Sequence, residues 1–141
     1  MGQTAQYAFD GSGAAPNAQR RLVQGTYDFS KVGGGTATYN LIKLNSGARV
    51  LGGWVEVSGT PAAASGTPTI AVQVEGANDL ISAASVLGAP WSTAGKKAIT
   101  PKINTPESTS ITLTADRNVA ALIGAAPLSA GVFTVFLEVV G

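Results

Sequence analysis

The sequence predicts an all-β fold, a single antiparallel β-sandwich of the jelly-roll or immunoglobulin-like type with an extended N-terminal arm. Three observations lead to this prediction. Short segments rich in β-branched and aromatic residues recur along the chain, clusters of Gly, Pro, Ser and Asn separate them, and helical periodicity is almost absent. With 141 residues, the chain has the length of one domain.

The first 20 residues differ in composition from the rest of the chain. They are rich in Gly, Ala, Gln and Asn, and Tyr7 and Phe9 are their only aromatic side chains. Because these two residues lie two positions apart, an extended segment would present both on one side. We therefore predict a flexible arm over residues 1–20 and a sandwich domain over 21–141, with Tyr7 and Phe9 contacting a neighbouring subunit. A terminus that is disordered without any partner is the alternative.

Alternation of apolar and polar residues identifies the strands, most clearly at 69–75 and 110–115. Residues 79–87 are ambiguous, because their Ala and Leu residues also favour a short helix. The eight predicted strands cover residues 26–29, 37–44, 49–57, 69–75, 81–86, 110–115, 119–123 and 132–140.

The last predicted strand is apolar on more than one face. One face carries Phe133, Val135, Leu137 and Val139, and the opposite face also carries a large aromatic side chain, Phe136. A strand that is apolar on both faces lies in the centre of a sheet or at an interface. Phe136 is therefore a candidate interface residue.

Glycine and proline mark the predicted connections. The run 33–35 is interpreted as a hairpin loop and residues 61–68, which have a proline at each end, as a surface loop. Gly52 and Gly53 lie inside a predicted strand, which indicates a β-bulge just before Trp54.

The charge of the chain is small and nearly balanced. Nine Lys and Arg residues oppose eight Asp and Glu residues, so a nucleic-acid or membrane partner is not expected. Charged residues make up 12% of the chain, about half of the usual ~25%. A weakly charged surface gives little electrostatic protection against association, which suits a protein that functions in an assembly.

The sequence offers little catalytic chemistry. Histidine and cysteine are absent, which removes the commonest general base and the thiolate nucleophile. The eight acidic residues are spread singly along the chain, so we expect no catalytic residue, no cofactor and no metal. Glu75, Asn78 and Asp79 are the best candidates for a calcium site, but a polar turn between strands explains them better.

The two tryptophans receive different predictions. Trp54 lies in a strand, where a half-buried core position is expected. Trp91 follows Pro90 in a loop, so we predict that it is exposed or contacts another subunit. A platform of exposed tryptophans for sugar binding is the alternative.

Two segments of the chain resemble a known family. Residues 37–44, with the sequence ATYNLIKL, and the following GARVLGGWV of residues 47–55 are similar to a strand-turn-strand unit in the capsid decoration, or cement, proteins of tailed bacteriophages. The resemblance implies a structural virion protein, made in the host cytoplasm, that binds major capsid protein on the capsid surface as a homotrimer. It carries over no catalytic residue. A phage tail or fibre module and a carbohydrate-binding β-sandwich remain the alternatives.

Overall fold

The structure is a computed structural model that describes residues 20–99, 101 and 110–141. Within these ranges no helix is long and apolar enough to cross a membrane. The described residues form nine strands and one helical turn: β1 (Arg20–Asp28), α1 (Phe29–Val32), β2 (Ala37–Leu44), β3 (Arg49–Ala63), β4 (Thr69–Gln73), β5 (Ile81–Ser85), β6 (Gly95–Ile99), β7 (Ile111–Thr112), β8 (Arg117–Gly124) and β9 (Leu128–Val140).

The strands form two antiparallel sheets that pack face to face, as predicted. The first sheet, sheet A, has the order β1-β9-β3-β6, with the short β7 pairing with β3. The second, sheet B, has the order β2-β8-β4-β5. The chain passes from one sheet to the other after β1, β2, β3, β5, β7 and β8. This winding is that of a jelly roll, so it decides between the two predicted topologies.

Aromatic rings fill the centre of the core between the sheets. Phe133 stacks on Tyr27 with 5.2 Å between ring centroids, and the ring of Trp91 lies 4.8 Å from the same Phe133 ring. The hydroxyl of Tyr27 donates a hydrogen bond of 2.7 Å to the carbonyl of Gly33. Burial raises the pKa of Tyr27 to about 12, so the phenol stays neutral and keeps its proton for this bond.

Strand β9 lies in the centre of sheet A, as the sequence predicts. It pairs with β1 over its C-terminal part and with β3 over nearly its whole length. A register shift between Val50 and Gly52 confirms the predicted bulge. The prediction of a surface loop from residue 61 was wrong, since β3 continues to Ala63. Another shift, between Gly59 and Ala62, lets the chain pass Pro61, which has no N–H to donate, without ending the ladder.

Three further predictions need correction. Strand β6 was missed, because Ile99 is its only bulky apolar residue and its pairing with β3 holds it in place. The predicted strand 110–115 is reduced to the two residues of β7. The glycine run 33–35 does not form a hairpin loop, because β1 and β2 belong to different sheets. The segment 81–85 is a strand, and the helical alternative does not apply.

Candidate interaction surfaces

The outer face of sheet A carries aromatic and apolar side chains that do not belong to the core. Strand alternation places Val55, Val57, Val135 and Leu137 inward, so their neighbours point outward. We call this surface the aromatic face. It consists of Arg20, Leu22, Gln24 and Thr26 from β1, Thr134, Phe136, Glu138 and Val140 from β9, Arg49, Trp54 and Glu56 from β3, and Lys96 and Ala98 from β6.

Two stacked rings occupy the middle of the aromatic face. The rings of Trp54 and Phe136 have centroids 4.9 Å apart and planes inclined by 14°. Gln24 flanks Phe136 on one side and Ala98 flanks Trp54 on the other, so all four residues form one row across the sheet. The indole N–H of Trp54 is buried and has no hydrogen-bond partner among the described residues. In the next row Leu22 is 53% exposed, so it extends the apolar surface beside the two rings.

The β-bulge decides that Trp54 points outward. Val50 is buried, and strict alternation from Val50 would turn residues 52, 54 and 56 inward as well. The extra residue at the register shift between Val50 and Gly52 reverses this phase, so Val55 and Val57 enter the core instead. Trp54 is half-buried, as predicted, but the predicted core position was wrong, since the side chain lies on the outer face of the sheet.

Cations flank the aromatic face. Arg20 forms an exposed ion pair with Glu138 at 3.7 Å. Arg49 and Lys96, at opposite ends of the face, form no ion pair with any residue that the structure describes. The face therefore combines an aromatic centre with two cations that remain available to an acidic partner.

The outer face of sheet B has a different character. A groove of about 470 Å³ lies on it, lined by apolar residues that include Ala71, Ala83 and Leu122 and by polar residues that include Thr38, Gln73 and Asn78. Small side chains and the absence of charged residues among those that line the groove make it suitable for shape-based packing. It holds no feature that activates a nucleophile or a proton donor.

The β4–β5 connection is a structural turn. Both carboxylate oxygens of Asp79 accept backbone hydrogen bonds, from Val74 at 2.9 Å, Glu75 at 2.9 Å and Gly76 at 2.8 Å. Asn78 adopts a positive φ of 60°, and its side chain accepts a bond of 3.0 Å from the N–H of Ala83. The polar-turn interpretation is confirmed by these bonds, and in the described ranges no group of three or more His, Cys, Asp or Glu side chains is arranged to hold a metal.

Replacement of Asp79 by alanine should lower the free energy of unfolding by roughly 1–3 kcal/mol, because three backbone donors lose the buried carboxylate that accepts their hydrogen bonds. Asp116→Ala is the matched control, since this exposed carboxylate accepts one backbone bond, from Ser46. Urea unfolding followed by circular dichroism measures both. Equal midpoints for the two variants would contradict the assigned role of Asp79.

A polar cluster joins the end of β4 to the start of β8. Oε1 of Glu75 lies 3.0 Å from Nε of Arg117, and the hydroxyl of Thr114 donates to the other carboxylate oxygen of Glu75. The hydrogen bond from the Thr114 hydroxyl, assisted by the hydrogen bond and the positive charge of Arg117, lowers the pKa of Glu75 below its usual value of 4.5. The ionised carboxylate is thus the form that the fold favours.

This shift predicts how Glu75 affects acid stability. A carboxylate whose pKa is lower in the folded state adds stability above pH 4.5, and this contribution is lost as the pH falls below 4.5 through the folded-state pKa. Glu75→Gln should therefore unfold at a melting temperature that depends less on pH below 4.5 than that of the unchanged protein. Thermal melts between pH 7 and pH 2.5 test this, and parallel curves for the two proteins would contradict it.

The structure describes two of the four sequence-predicted interface residues, Trp91 and Phe136. Tyr7 and Phe9 lie outside the described residues. Phe136 lies on the aromatic face, half-buried against Trp54. Trp91 does not lie on the surface, contrary to its prediction: it is 0% exposed, and its indole N–H donates to the carbonyl of Ile70 at 3.3 Å. The loop after β5 turns this ring into the core, where it contacts Phe133.

Sequence reasoning missed Leu22 and the outward position of Trp54. Residues 20–25 were assigned to the arm or left unassigned, because Arg20, Arg21 and Gln24 obscure the alternation. In the structure these residues pair with the end of β9. A signal was nevertheless present in the sequence, since a bulge at Gly52 reverses which side of the strand Trp54 occupies.

Comparison with solved structures shows where the same fold occurs. A chain of the cyanophage Pam1 capsid asymmetric unit matches with a TM-score of 0.62 and 20% identity, over 96% of this chain and 94% of that one. A chain of the capsid of Ralstonia phage GP4 matches with a TM-score of 0.61 and 16% identity, over 86% and 84%. A chain of the acidic stable capsid structure of Helicobacter pylori bacteriophage KHP30 matches with a TM-score of 0.59 and 20% identity, over 86% and 87%.

These similarities establish a shared fold along nearly the whole chain. No protein-family model matches the sequence, and no curated protein matches it either. The three solved structures are all phage capsids.

Proposed function

We propose that this chain is a structural protein of a phage virion that binds the outer surface of the assembled capsid and stabilises it. The observation that carries the proposal is the similarity of its jelly roll, along 86–96% of its length, to chains in three phage capsids. The resemblance of residues 37–55 to cement proteins points independently to the same role. Its partners are major capsid protein and further copies of itself, as a homotrimer.

The surface of the domain supports a role in assembly. Charged residues are few, and the aromatic face exposes apolar area that the isolated domain does not bury. Aromatic residues are enriched where protein interfaces form, whereas most charged residues are depleted there. The proposed role needs no catalysis, and the two polar clusters described above hold turns and strands in place.

Linkage supplies the stabilising mechanism. A protein that binds the assembled shell, but not its separated subunits, lowers the free energy of the shell by the binding free energy at each site. At a free concentration of one hundred times Kd, this amounts to about 2.7 kcal/mol per site. Because a capsid repeats the same site many times, a modest gain at one site becomes large for the whole shell.

Reconstitution tests this proposal. Purified chain is added to shells assembled without it, and its copy number is determined by gel densitometry and by cryo-electron microscopy of the particles. We expect saturable binding in hundreds of copies on the outer lattice and a higher shell disruption temperature. The matched control is unassembled capsid subunit, which should bind far more weakly.

Other distributions in the particle would contradict the proposal. A few copies at one vertex would indicate a tail or fibre module. Continuous shell density formed by this chain itself would show that it builds the shell and does not decorate it. Binding with no change in disruption temperature would remove the stabilising function.

A further inference from the structure

The aromatic face lacks a partner within the part of the chain that the structure describes, although its composition resembles the centre of an interface. Trp54 and Phe136 stack in its middle, and Leu22 is 53% exposed beside them. We propose that the N-terminal segment 1–19 of a neighbouring copy binds across this face, with Tyr7 and Phe9 as its anchors. This inference rests on the self-association in the proposed function and identifies the surface responsible.

The path of β1 favours a neighbouring copy over the same chain. Followed towards the N-terminus, β1 runs from Asp28 to Arg20, and Arg20 pairs with Val140, the penultimate residue of the chain. At Arg20 the axis of β1 therefore points past the row of Val140 and Arg49 and away from the Trp54 row. A segment of 19 residues reaches at most roughly 60–70 Å when extended, which is enough to cross a second domain.

The chemistry of the segment matches that of the face. Tyr7 and Phe9 would lie on one side of an extended segment, about 6.8 Å apart, so both rings can contact the face together. Asp10 is the only charged side chain in residues 1–19. The aromatic face carries three cations, Arg20, Arg49 and Lys96, and two carboxylates, those of Glu56 and Glu138. Its small positive charge is complementary to the negative charge of the segment.

Two exposed apolar residues provide a matched pair of variants. Leu22 lies on the aromatic face, Val32 lies at the end of α1 outside that face, and both are 53% exposed. Leu22→Ser should weaken self-association by about tenfold or more, because it removes a large apolar contact beside the two rings, and Val32→Ser should leave it unchanged. Sedimentation velocity of the full chain across a concentration series gives both values.

A second experiment separates the segment from the face. The full chain carrying Tyr7→Ser and Phe9→Ser keeps an intact face but has lost the anchors of its own arm. A fluorescein-labelled peptide of residues 1–19 should bind this variant, as measured by fluorescence anisotropy. The same peptide should bind at least about tenfold more weakly when the chain also carries Leu22→Ser, and retain its affinity with Val32→Ser.

Three results would overturn the inference. The first is that the peptide does not bind the anchor-free variant. The second is that Leu22→Ser and Val32→Ser change self-association equally. The third is that Trp54 in the unchanged protein is shielded from acrylamide quenching by the arm to the same degree at every protein concentration. The last result would place the arm of the same chain on the face. None of these measurements involves capsids, so the inference can fail while capsid binding holds, and capsid binding can fail while the peptide still binds.

Discussion

Trp91→Ala should lower the free energy of unfolding by about 3–5 kcal/mol, as expected for deletion of a fully buried aromatic side chain. Trp91 is 0% exposed, its ring lies 4.8 Å from that of Phe133, and its indole N–H donates to Ile70. The substitution removes these contacts, leaves a cavity between the sheets and takes the hydrogen-bond donor from the Ile70 carbonyl. Since domains of this size are stable by only about 5–15 kcal/mol, much of the stability is lost.

Trp54→Ala is the matched control for this prediction. Trp54 stacks on Phe136 at the outer face, where solvent and neighbouring side chains can fill the vacated space. Trp54→Ala should lower the free energy of unfolding by less than half as much as Trp91→Ala does. Chemical denaturation with near-ultraviolet circular dichroism measures both, and equal costs would contradict the burial of Trp91 in the core.

This difference affects how binding experiments are interpreted. A loss of binding in Trp91→Ala reports an unstable fold, because no atom of that ring is available to a partner. A loss of binding in Trp54→Ala reports the aromatic face directly. Trp54 and Leu22, which is also on that face, are therefore the positions at which to test assembly.

Gly53→Ala should lower the free energy of unfolding by at least about 3 kcal/mol, which is the upper end of the range for overpacking substitutions. A Cβ atom on Gly53 would lie 1.9 Å from the carbonyl oxygen of Phe136 and 2.9 Å from the Cα atom of Leu137. Both are backbone atoms of β9, the central strand of sheet A, so the clash cannot be relieved by rotating a side chain. The β3–β9 ladder must separate locally, and Phe136 moves with it.

Gly52→Ala separates this clash from the effect of backbone conformation. Gly52 has the same φ of 157° as Gly53, but no described atom lies within 4 Å of the position of its Cβ. Its replacement carries only the strain of a side chain at that φ, about 1–3 kcal/mol, so it should lower the free energy of unfolding by less than Gly53→Ala does. Thermal unfolding of the two variants gives the comparison, and similar melting temperatures would show that the strands are not in such close contact at Gly53.

Several features of the fold were accessible from sequence because they depend on neighbours along the chain. Alternation at residues 69–75 predicted β4, and the two apolar faces of the last strand predicted the central position of β9. Gly52 and Gly53 predicted the bulge. The arrangement of Glu75, Asn78 and Asp79 as a turn was also predicted, because the bonds of Asp79 join residues only three to five positions apart.

Features that depend on contacts with residues distant in the chain could not be predicted from the sequence. Strand β6 exists because β3 supplies its hydrogen bonds, and its residues Gly95, Lys96 and Lys97 do not favour a strand by themselves. The ring of Trp91 is buried because Phe133, 42 positions later, provides the contact. A loop position near proline gives no indication of such a contact.

The sequence by itself determined the class of fold, the central strand and the scarcity of catalytic chemistry, since these follow from composition and from periods of a few residues. The tertiary structure alone decided which aromatic side chains face a partner. The outward position of Trp54 depends on the bulge in β3, and the inward position of Trp91 depends on the packing of a loop against β9. Both are determined by hydrogen bonds and contacts between segments far apart in the chain.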